Sequence, residues 1–175
     1  MSNQWFLDQA RLGNVYNACS TGAVTLSTVS ATCTGLCLSN PYGSGKDLVI
    51  SKISFQPSTA PAGASVVGVA VSPAVSTTAV THTTPAVIHN ARSTGSNSQV
   101  GVGKADAAST LPAAPVWLRP LGSVVAASSI TPAKYEDNVN GDIILAPGTN
   151  LSLSYLTTAA IGIASITWAE VDVVA

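Results

Sequence analysis

Residues 151–174 read LSLSYLTTAAIGIASITWAEVDVV. In the first part of this stretch, Leu151, Leu153 and Tyr155 alternate with serine. In the part that starts at Ile161, one set of alternate positions holds Gly, Ala, Ile and Trp, and the other set holds Ile, Ser and Thr. A period of two residues places successive side chains on opposite faces of a β-strand. The stretch therefore predicts two strands, Leu151–Tyr155 and Ile161–Val174.

Similar short apolar segments recur upstream, separated by turns that contain Gly and Pro. The strongest is Asp47–Phe55, which predicts a strand with Val49, Ile53 and Phe55 on one face and Leu48 and Ile50 on the other. Further strands are predicted at Ser65–Ser72, Thr77–Thr84, Ala86–Ala91 and Asp142–Ala146, an extended segment or edge strand at Leu111–Gly122, and a long exposed loop at Arg92–Ser109.

This pattern of about eight short strands predicts an all-β fold, an antiparallel β-sandwich of the jelly-roll-like type. The Cys…Trp…Cys core pattern of immunoglobulin domains is missing from the sequence. At 175 residues, one domain is expected, and we assign it to residues 15–175.

Residues 1–14 differ from the rest of the chain because they carry bulky side chains at helical spacing. Trp5, Phe6, Leu7 and Leu12 lie on or near one face of the predicted helix. The sequence leaves two interpretations open. This N-terminal arm either anchors on a neighbouring subunit or another protein, or forms a short helix that covers one end of its own core.

The chain carries very little charge, since only 9% of its residues are Asp, Glu, Lys or Arg, against about 25% in an ordinary soluble domain. Three long stretches, Leu12–Gly45, Ile53–Ala91 and Ile143–Ala169, contain none of these residues. A free protein normally stays dissolved through surface charges of mixed sign. The composition therefore favours a structural component that packs against copies of itself or a larger partner.

Other partners are not expected. The net charge is −1 and the seven basic residues are scattered, so no nucleic acid is expected to bind. No run of 18 mainly apolar residues predicts a membrane span. Residues 1–10 lack the basic and apolar regions of a signal peptide, so we expect synthesis in the cytoplasm.

Gly43-Ser44-Gly45-Lys46 superficially suggests a phosphate-binding loop. A Walker A motif needs a Gly five positions before the last Gly and a Ser or Thr after the Lys. Those positions hold Asn40 and Asp47, and a strand rather than a helix is predicted to follow. The segment is predicted to be a hairpin turn.

The two histidines, His82 and His89, are predicted to be polar loop or surface residues without acidic or cysteine neighbours at ligand spacing. Cys33 and Cys37 are predicted to be small buried hydrophobes. In a straight strand their Cα atoms would lie about 13 Å apart, too far for a disulfide.

Carboxylates are few, and the sequence shows no catalytic cluster of them. Glu170 and Asp172 share one face of a strand and are predicted to line a solvated or interface-facing edge. A pairing of these acids with Arg119 or Lys134 is a further interpretation. No Gly-x-Ser-x-Gly elbow occurs. We therefore expect no enzyme, no catalytic residues, no cofactor and no metal site.

The C-terminal block and several turns resemble small virion structural proteins of tailed bacteriophages. The segments that carry this resemblance are Asn140–Leu153, Thr157–Ala160, Thr167–Val171, Asn40–Val49, Leu111–Pro115 and Leu118–Gly122. They are turn and strand patterns rather than catalytic signatures, and together they span most of the chain after about residue 10.

The resemblance implies a head decoration (cement) protein, a β-sandwich that is often trimeric and clamps neighbouring shell subunits. It implies the major capsid protein of the same virus as partner, a homotrimer, and a place on the capsid surface after synthesis in the host cytoplasm. The interface candidates are Trp5, Phe6, Leu7, Leu12, Trp117 and Tyr135.

The same turn and strand patterns also occur with other virion roles, so an alternative function stays open. A tail-fibre, spike or head-fibre module would bind host-surface glycans. Such sites usually present exposed aromatic side chains, and the candidates for this role are Trp117, Tyr135 and Tyr155.

Overall fold

The structure is a computed structural model that describes residues 3–92, 101–126 and 134–174. Within these ranges, one helix is followed by thirteen strands. The elements are α1 (Asn3–Leu12), β1 (Val15–Cys19), β2 (Val24–Thr25), β3 (Thr32–Asn40), β4 (Lys46–Pro57), β5 (Ser65–Val71), β6 (Thr81–Pro85), β7 (Ile88–Asn90), β8 (Lys104–Thr110), β9 (Val116–Val124), β10 (Tyr135–Asp137), β11 (Ile144–Leu145), β12 (Thr149–Tyr155) and β13 (Ile161–Asp172).

The strands form two antiparallel sheets with jelly-roll connectivity. Sheet A contains the order β10-β4-β13-β1, and sheet B contains the order β3-β12-β5-β9. The chain passes repeatedly from one sheet to the other, as in a pair of Greek keys. These eight strands confirm the predicted all-β sandwich.

Five further strands extend this framework. β7 adds to β1 at one edge of sheet A, and β8 and β6 add to β3 at one edge of sheet B. The short strands β2 and β11 pair with β13 and β4. Sheet B therefore runs from β6 at one edge to β9 at the other.

The main core lies between the two sheets. Most of its largest fully buried side chains come from β3, β4, β12 and β13, the strands at the centre of each sheet, and Leu26 adds one from the segment between β2 and β3. Leu151 and Leu153 face this core from sheet B, and Ile166 and Trp168 face it from sheet A. The two strands predicted in residues 151–174 are thus present as β12 and β13.

The faces predicted for β4 were wrong because the strand contains an irregularity. Thr167 pairs with Lys52, but the next residue of β13, Trp168, pairs with Ile50, so Ser51 is an extra residue in β4. An extra residue reverses the alternation beyond it. Ile50 and Ile53 therefore both belong to the main core, whereas Val49 packs on the opposite side of the sheet.

Two other predictions about connections also need correction. The segment predicted as an exposed loop at Arg92–Ser109 contains all but the last residue of β8 (Lys104–Thr110), and its residues 93–100 lie outside the described part of the chain. Residues 41–45 do form a turn, but it joins β3 of sheet B to β4 of sheet A. It is therefore a corner between the sheets and not a hairpin.

The helix α1 packs on the outer side of sheet A. Phe6 is buried against Val15, Val49 and Ala169. Its ring meets that of Trp5 edge-on, with centroids 4.8 Å apart. The helix thus covers part of its own domain, one of the two arrangements that the sequence left open. Among the described residues, no helix has the length and apolar character needed to span a membrane.

Candidate functional site

An apolar exposed surface lies on β9, one of the two edge strands of sheet B. Val116, Trp117 and Leu118 are consecutive and exposed there, Trp117 by 36% and Leu118 by 45%. Leu156 lies beside them, and Trp117, Leu118 and Leu156 line a shallow groove of about 210 Å³. We call Val116, Trp117, Leu118 and Leu156 the apolar edge. Exposed apolar patches of this kind are typical of interaction surfaces.

Trp117 has one side of its ring against its own sheet and the other towards solvent. A Cβ atom on Gly68, in the neighbouring strand β5, would lie 2.9 Å from Cζ3 of Trp117. Gly68 therefore lets the indole lie close to the backbone. Of the sequence-predicted candidates, Trp117 is the one that belongs to the apolar edge.

Tyr135 lies on β10, where its ring packs over Gly122 of β9. Its hydroxyl donates a hydrogen bond to the carbonyl oxygen of Ser123 at 2.8 Å. Next to it, Arg119 Nη1 lies 3.1 Å from Asp137 Oδ2. Tyr135 and this ion pair join β9 to sheet A, so the structure places Tyr135 at a contact between the two sheets.

The N-terminal candidates divide into two pairs. Phe6 is buried and Trp5 is partly buried in the contact with sheet A. Leu7 and Leu12 lie on the exposed part of α1. The structure does not bring any of these four side chains together with Trp117 in one cluster.

A second feature is a polar layer on the outer face of sheet B. Asn150, Ser152 and Ser154 point away from the core because Leu151 and Leu153 between them point into it. Ser152 lies opposite Cys37, which in turn lies opposite Asp106 of β8. We call this surface the polar layer. It consists of Cys33, Cys37, Ser39, Asp106, Ser109, Asn150, Ser152 and Ser154.

Residues 72–80, which we call the covering loop, close over part of the polar layer. The amide of Ser76 donates to the carbonyl oxygen of Gly148 at 2.9 Å, and Val80 packs against Cys33 and Cys37. The polar layer is buried but incompletely hydrogen-bonded. Within the described residues, five of its side-chain atoms are buried without a hydrogen-bond partner: Asp106 Oδ1, Ser109 Oγ, Asn150 Oδ1, Ser152 Oγ and Ser154 Oγ.

His82 and Asp106 form a pair that the sequence analysis missed. His82 Nδ1 is hydrogen-bonded to Oδ2 of Asp106, whose side chain is buried. No acidic residue lies at ligand spacing from His82 in the sequence, but β6 and β8 pair and bring together two residues that are 24 positions apart. The buried carboxylate fixes the orientation of the imidazole, because one ring nitrogen is committed to it.

The cysteines are free thiols, and Cys33 and Cys37 are buried as predicted. The Cα–Cα distance expected for these two residues in a straight strand does not apply, because the pairing of β3 with β8 is irregular between Thr34 and Cys37. The two thiols share a hydrogen bond, which lowers the pKa of Cys33. That bond, together with burial, raises the pKa of Cys37.

Glu170 occupies a buried position, contrary to the predicted solvated edge. Its carboxylate accepts hydrogen bonds from the amides of Val102 at 2.8 Å and Gly103 at 2.9 Å, and from Trp168 Nε1 at 3.1 Å. Asp172 is exposed and pairs with Lys46 at 2.6 Å. The shared strand face therefore does not make these two acids a pair, and neither of them bonds to Arg119 or Lys134.

The other acidic residue of β10, Glu136, forms ion pairs at the surface. Glu136 contacts both Lys52 and Lys134. Across the described ranges, no group of three or more His, Cys, Asp or Glu side chains is arranged to hold a metal ion.

Comparison of the chain with protein-family models, with curated proteins and with solved structures found no match.

Proposed function

We propose that the chain is a non-enzymatic structural protein of a tailed-bacteriophage virion, of the head decoration type. It binds the outer shell of the head through the major capsid protein and stabilises it, as a homotrimer. The observation that carries this proposal is the apolar edge.

The apolar edge is suited to lasting contacts. It combines an aromatic ring with aliphatic side chains along the outermost strand of a sheet, and interface centres are enriched in such residues. Backbone groups on the outer side of an edge strand are also available to a neighbouring chain. A second copy of the chain or a shell subunit can therefore bury this surface.

Two further observations support the same assignment. The low charge of the chain leaves few groups that an interface would have to desolvate. Leu7 and Leu12 add exposed apolar surface on α1, away from the apolar edge. A decoration protein needs at least two kinds of contact, one with its own copies and one with the shell, and the two surfaces provide for both.

The trimer is tested by light scattering after size-exclusion chromatography. We expect the wild-type chain to elute as a trimer and Leu118→Ser, in the apolar edge, to shift towards monomer. Val87→Ser is the matched control, since Val87 is 52% exposed and follows β6, which lies at the opposite edge of sheet B from β9. Equal shifts in both variants, or a monomeric wild type, would contradict the trimer.

The location is tested by immunogold electron microscopy of intact particles with antibody against this chain. Regular label over the head is expected. Label confined to the tail tip would favour the alternative of a host-binding module, and particles without label would remove the virion assignment altogether.

A further inference from the structure

Residues 139–142, between β10 and β11, form a tight turn around the single Asn-Gly sequence of the chain, Asn140-Gly141. The amide of Asp142 donates to the carbonyl oxygen of Val139 at 3.1 Å, and φ is 51° at Asn140 and 92° at Gly141. Positive φ at both central residues is typical of a type I′ turn, which prefers Asn followed by Gly. We call residues 139–142 the Asn-Gly turn.

The Asn-Gly turn is bonded to the irregularity in β4. The amide of Asn140 donates to the carbonyl oxygen of Ser51 at 2.9 Å, and the amide of Gly141 donates to that of Ile50 at 2.8 Å. Carbonyl groups of consecutive residues point to opposite sides in a regular strand. The extra residue Ser51 breaks this order, so two consecutive carbonyl groups of β4 accept hydrogen bonds from the same turn.

Residues on both sides of the Asn-Gly turn fix its position. Val139 is 1% exposed and belongs to the main core. After the turn, Ile143 is also buried in that core, and its carbonyl oxygen accepts a hydrogen bond from the amide of Ile50 at 2.9 Å. The backbone of Asn140-Gly141 therefore cannot rotate unless these contacts are released.

An Asn-Gly sequence is chemically reactive in a flexible chain. The glycine nitrogen loses its proton to hydroxide and attacks Cγ of the asparagine. The bond between Cγ and the side-chain nitrogen breaks, ammonia leaves, and a five-membered succinimide remains. Water then opens the ring at either carbonyl group and yields aspartate or isoaspartate. The reaction needs only water and base, and a glycine nitrogen is the least hindered because glycine has no Cβ.

The structure blocks the first step of this reaction at Gly141. The proton that the nitrogen must lose is donated to the carbonyl oxygen of Ile50. Amide groups in such bonds become available to solvent base only when the local structure opens. Asn140 itself is only half-buried, so water reaches the residue in the folded chain. The hydrogen bonds to β4, rather than exclusion of water, therefore provide the protection.

We infer that Asn140 is a site of spontaneous deamidation that the bulge of β4 controls. The side chain reacts in those chains in which the Asn-Gly turn has separated from Ile50 and Ser51, and it is preserved while the turn is docked. The inference is independent of the proposed function, because it concerns a reaction within the chain and needs no partner.

The isoaspartate product would make the opening permanent. It adds one methylene group to the main chain between Cα of the former Asn140 and the nitrogen of Gly141. The two amides of the turn are spaced to meet the consecutive carbonyl groups of Ile50 and Ser51, so a longer backbone cannot keep both hydrogen bonds. Isoaspartate at position 140 thus records that the turn has opened.

The test compares the full chain in its folded state and in concentrated urea, both in mildly alkaline buffer. Peptide mass spectrometry measures the conversion of Asn140 over time. We expect the rate in the folded chain to be lower by about tenfold or more, because only the open fraction reacts. Asn138, which is exposed and is followed by the branched Val139, is an internal control that should react slowly in both states.

Two matched variants test whether the turn is the element that opens. Val139→Ala removes the core contact of the turn and should raise the rate in the folded chain about tenfold. Val67→Ala removes the same group from the same core, but on β5 of sheet B, and should leave the rate unchanged. Thermal unfolding verifies that both variants are folded.

Three outcomes would overturn the inference. Equal rates in the folded chain and in urea would mean that the hydrogen bonds to β4 give no protection. Equal acceleration by Val139→Ala and Val67→Ala would mean that the reaction requires unfolding of the whole sandwich rather than opening of the turn. An Asn140 that stays unconverted even in urea would not be a modification site.

Discussion

Trp168 Nε1 donates a hydrogen bond to Glu170 Oε1 at 3.1 Å inside the sandwich. The two residues are neighbours on the same face of β13, and the indole also stacks on Tyr16 with ring centroids 6.0 Å apart. Burial, followed in size by the negative charge of Glu170, raises the pKa of Tyr16. The carboxylate thus links the core tryptophan to the loop at residues 102–103, whose amides it also binds.

Replacement of Glu170 by Gln should destabilise the fold by about 1–3 kcal/mol, because an amide nitrogen would face one of the three N–H donors and leave it unpaired. Urea denaturation followed by tryptophan fluorescence measures this. Asp172→Asn, at the exposed neighbour on the same strand, is the control and should change stability by about 0.5 kcal/mol or less. Similar effects of the two substitutions would show that the buried hydrogen bonds matter little.

Gly148→Ala should destabilise the fold more than Gly43→Ala does. Both glycines have positive φ, 84° and 76°, where an alanine costs about 1–2 kcal/mol. A Cβ atom on Gly148 would also lie 2.6 Å from the carbonyl oxygen of Ser76, whereas nothing lies within 4 Å of one on Gly43.

The clash at Gly148 should add about 1–3 kcal/mol to the difference between these two variants. Thermal unfolding under identical conditions gives both values. Equal losses would mean that the covering loop moves aside without cost.

Phe6→Ala should cost about 3 kcal/mol, the lower end of the range for a buried phenylalanine, because α1 is docked on Val49 and Ala169. Leu7→Ala, on the exposed part of the same helix, should cost about 0.5 kcal/mol or less. Chemical denaturation is the measurement. A Phe6→Ala variant as stable as the wild type would restore the interpretation of residues 1–14 as an arm that binds elsewhere.

The free energy of unfolding should fall in acid, because protonation of Glu136 removes its ion pairs with Lys52 and Lys134. Hydrogen bonds from Lys134 and then from Lys52 lower the pKa of Glu136 from its ordinary value of 4.5. The carboxylate of Glu136 therefore binds a proton more readily in the unfolded chain than in the folded one. Its contribution to the free energy of unfolding is complete above pH 4.5 and is lost as the pH falls through the lowered pKa.

The urea midpoints of the wild type and of Glu136→Gln should accordingly differ at pH 7 and converge in acid. The difference at pH 7 should also shrink at high salt, because the pairs are exposed. A difference that is independent of both pH and salt would assign the effect to something other than these charges.

The sequence predicted the elements whose signal is local. β12 and β13 lie where the alternation in residues 151–174 predicted two strands, and each places alternate residues in the core. In β4 the same reasoning failed, because the extra residue at Ser51 is visible only when β4 is paired with β13. An alternating pattern specifies which side chains share a face only while the register is unbroken.

The candidate sites were harder to predict. Trp117 was identified from the sequence as a rare aromatic residue between prolines, and it lies in the apolar edge. The hydrogen bonds of Asn140 and Gly141 to β4 were not predicted, because they depend on the extra residue in that strand. The pairing of His82 with Asp106 likewise depends on β8. This strand was not predicted, because the segment Arg92–Ser109 was interpreted as an exposed loop.

The sequence by itself determined that this chain is an all-β sandwich with one short helix and very little charge, since alternation, turn residues and composition are properties of neighbouring positions. Only the tertiary structure decided which polar residues are buried. The serines of β12 appear solvent-facing in the alternating pattern, yet they are buried, as are Asn150 and Asp106. Burial of a polar side chain depends on which distant segment packs over it. That contact cannot be predicted from the residues next to the side chain in the sequence.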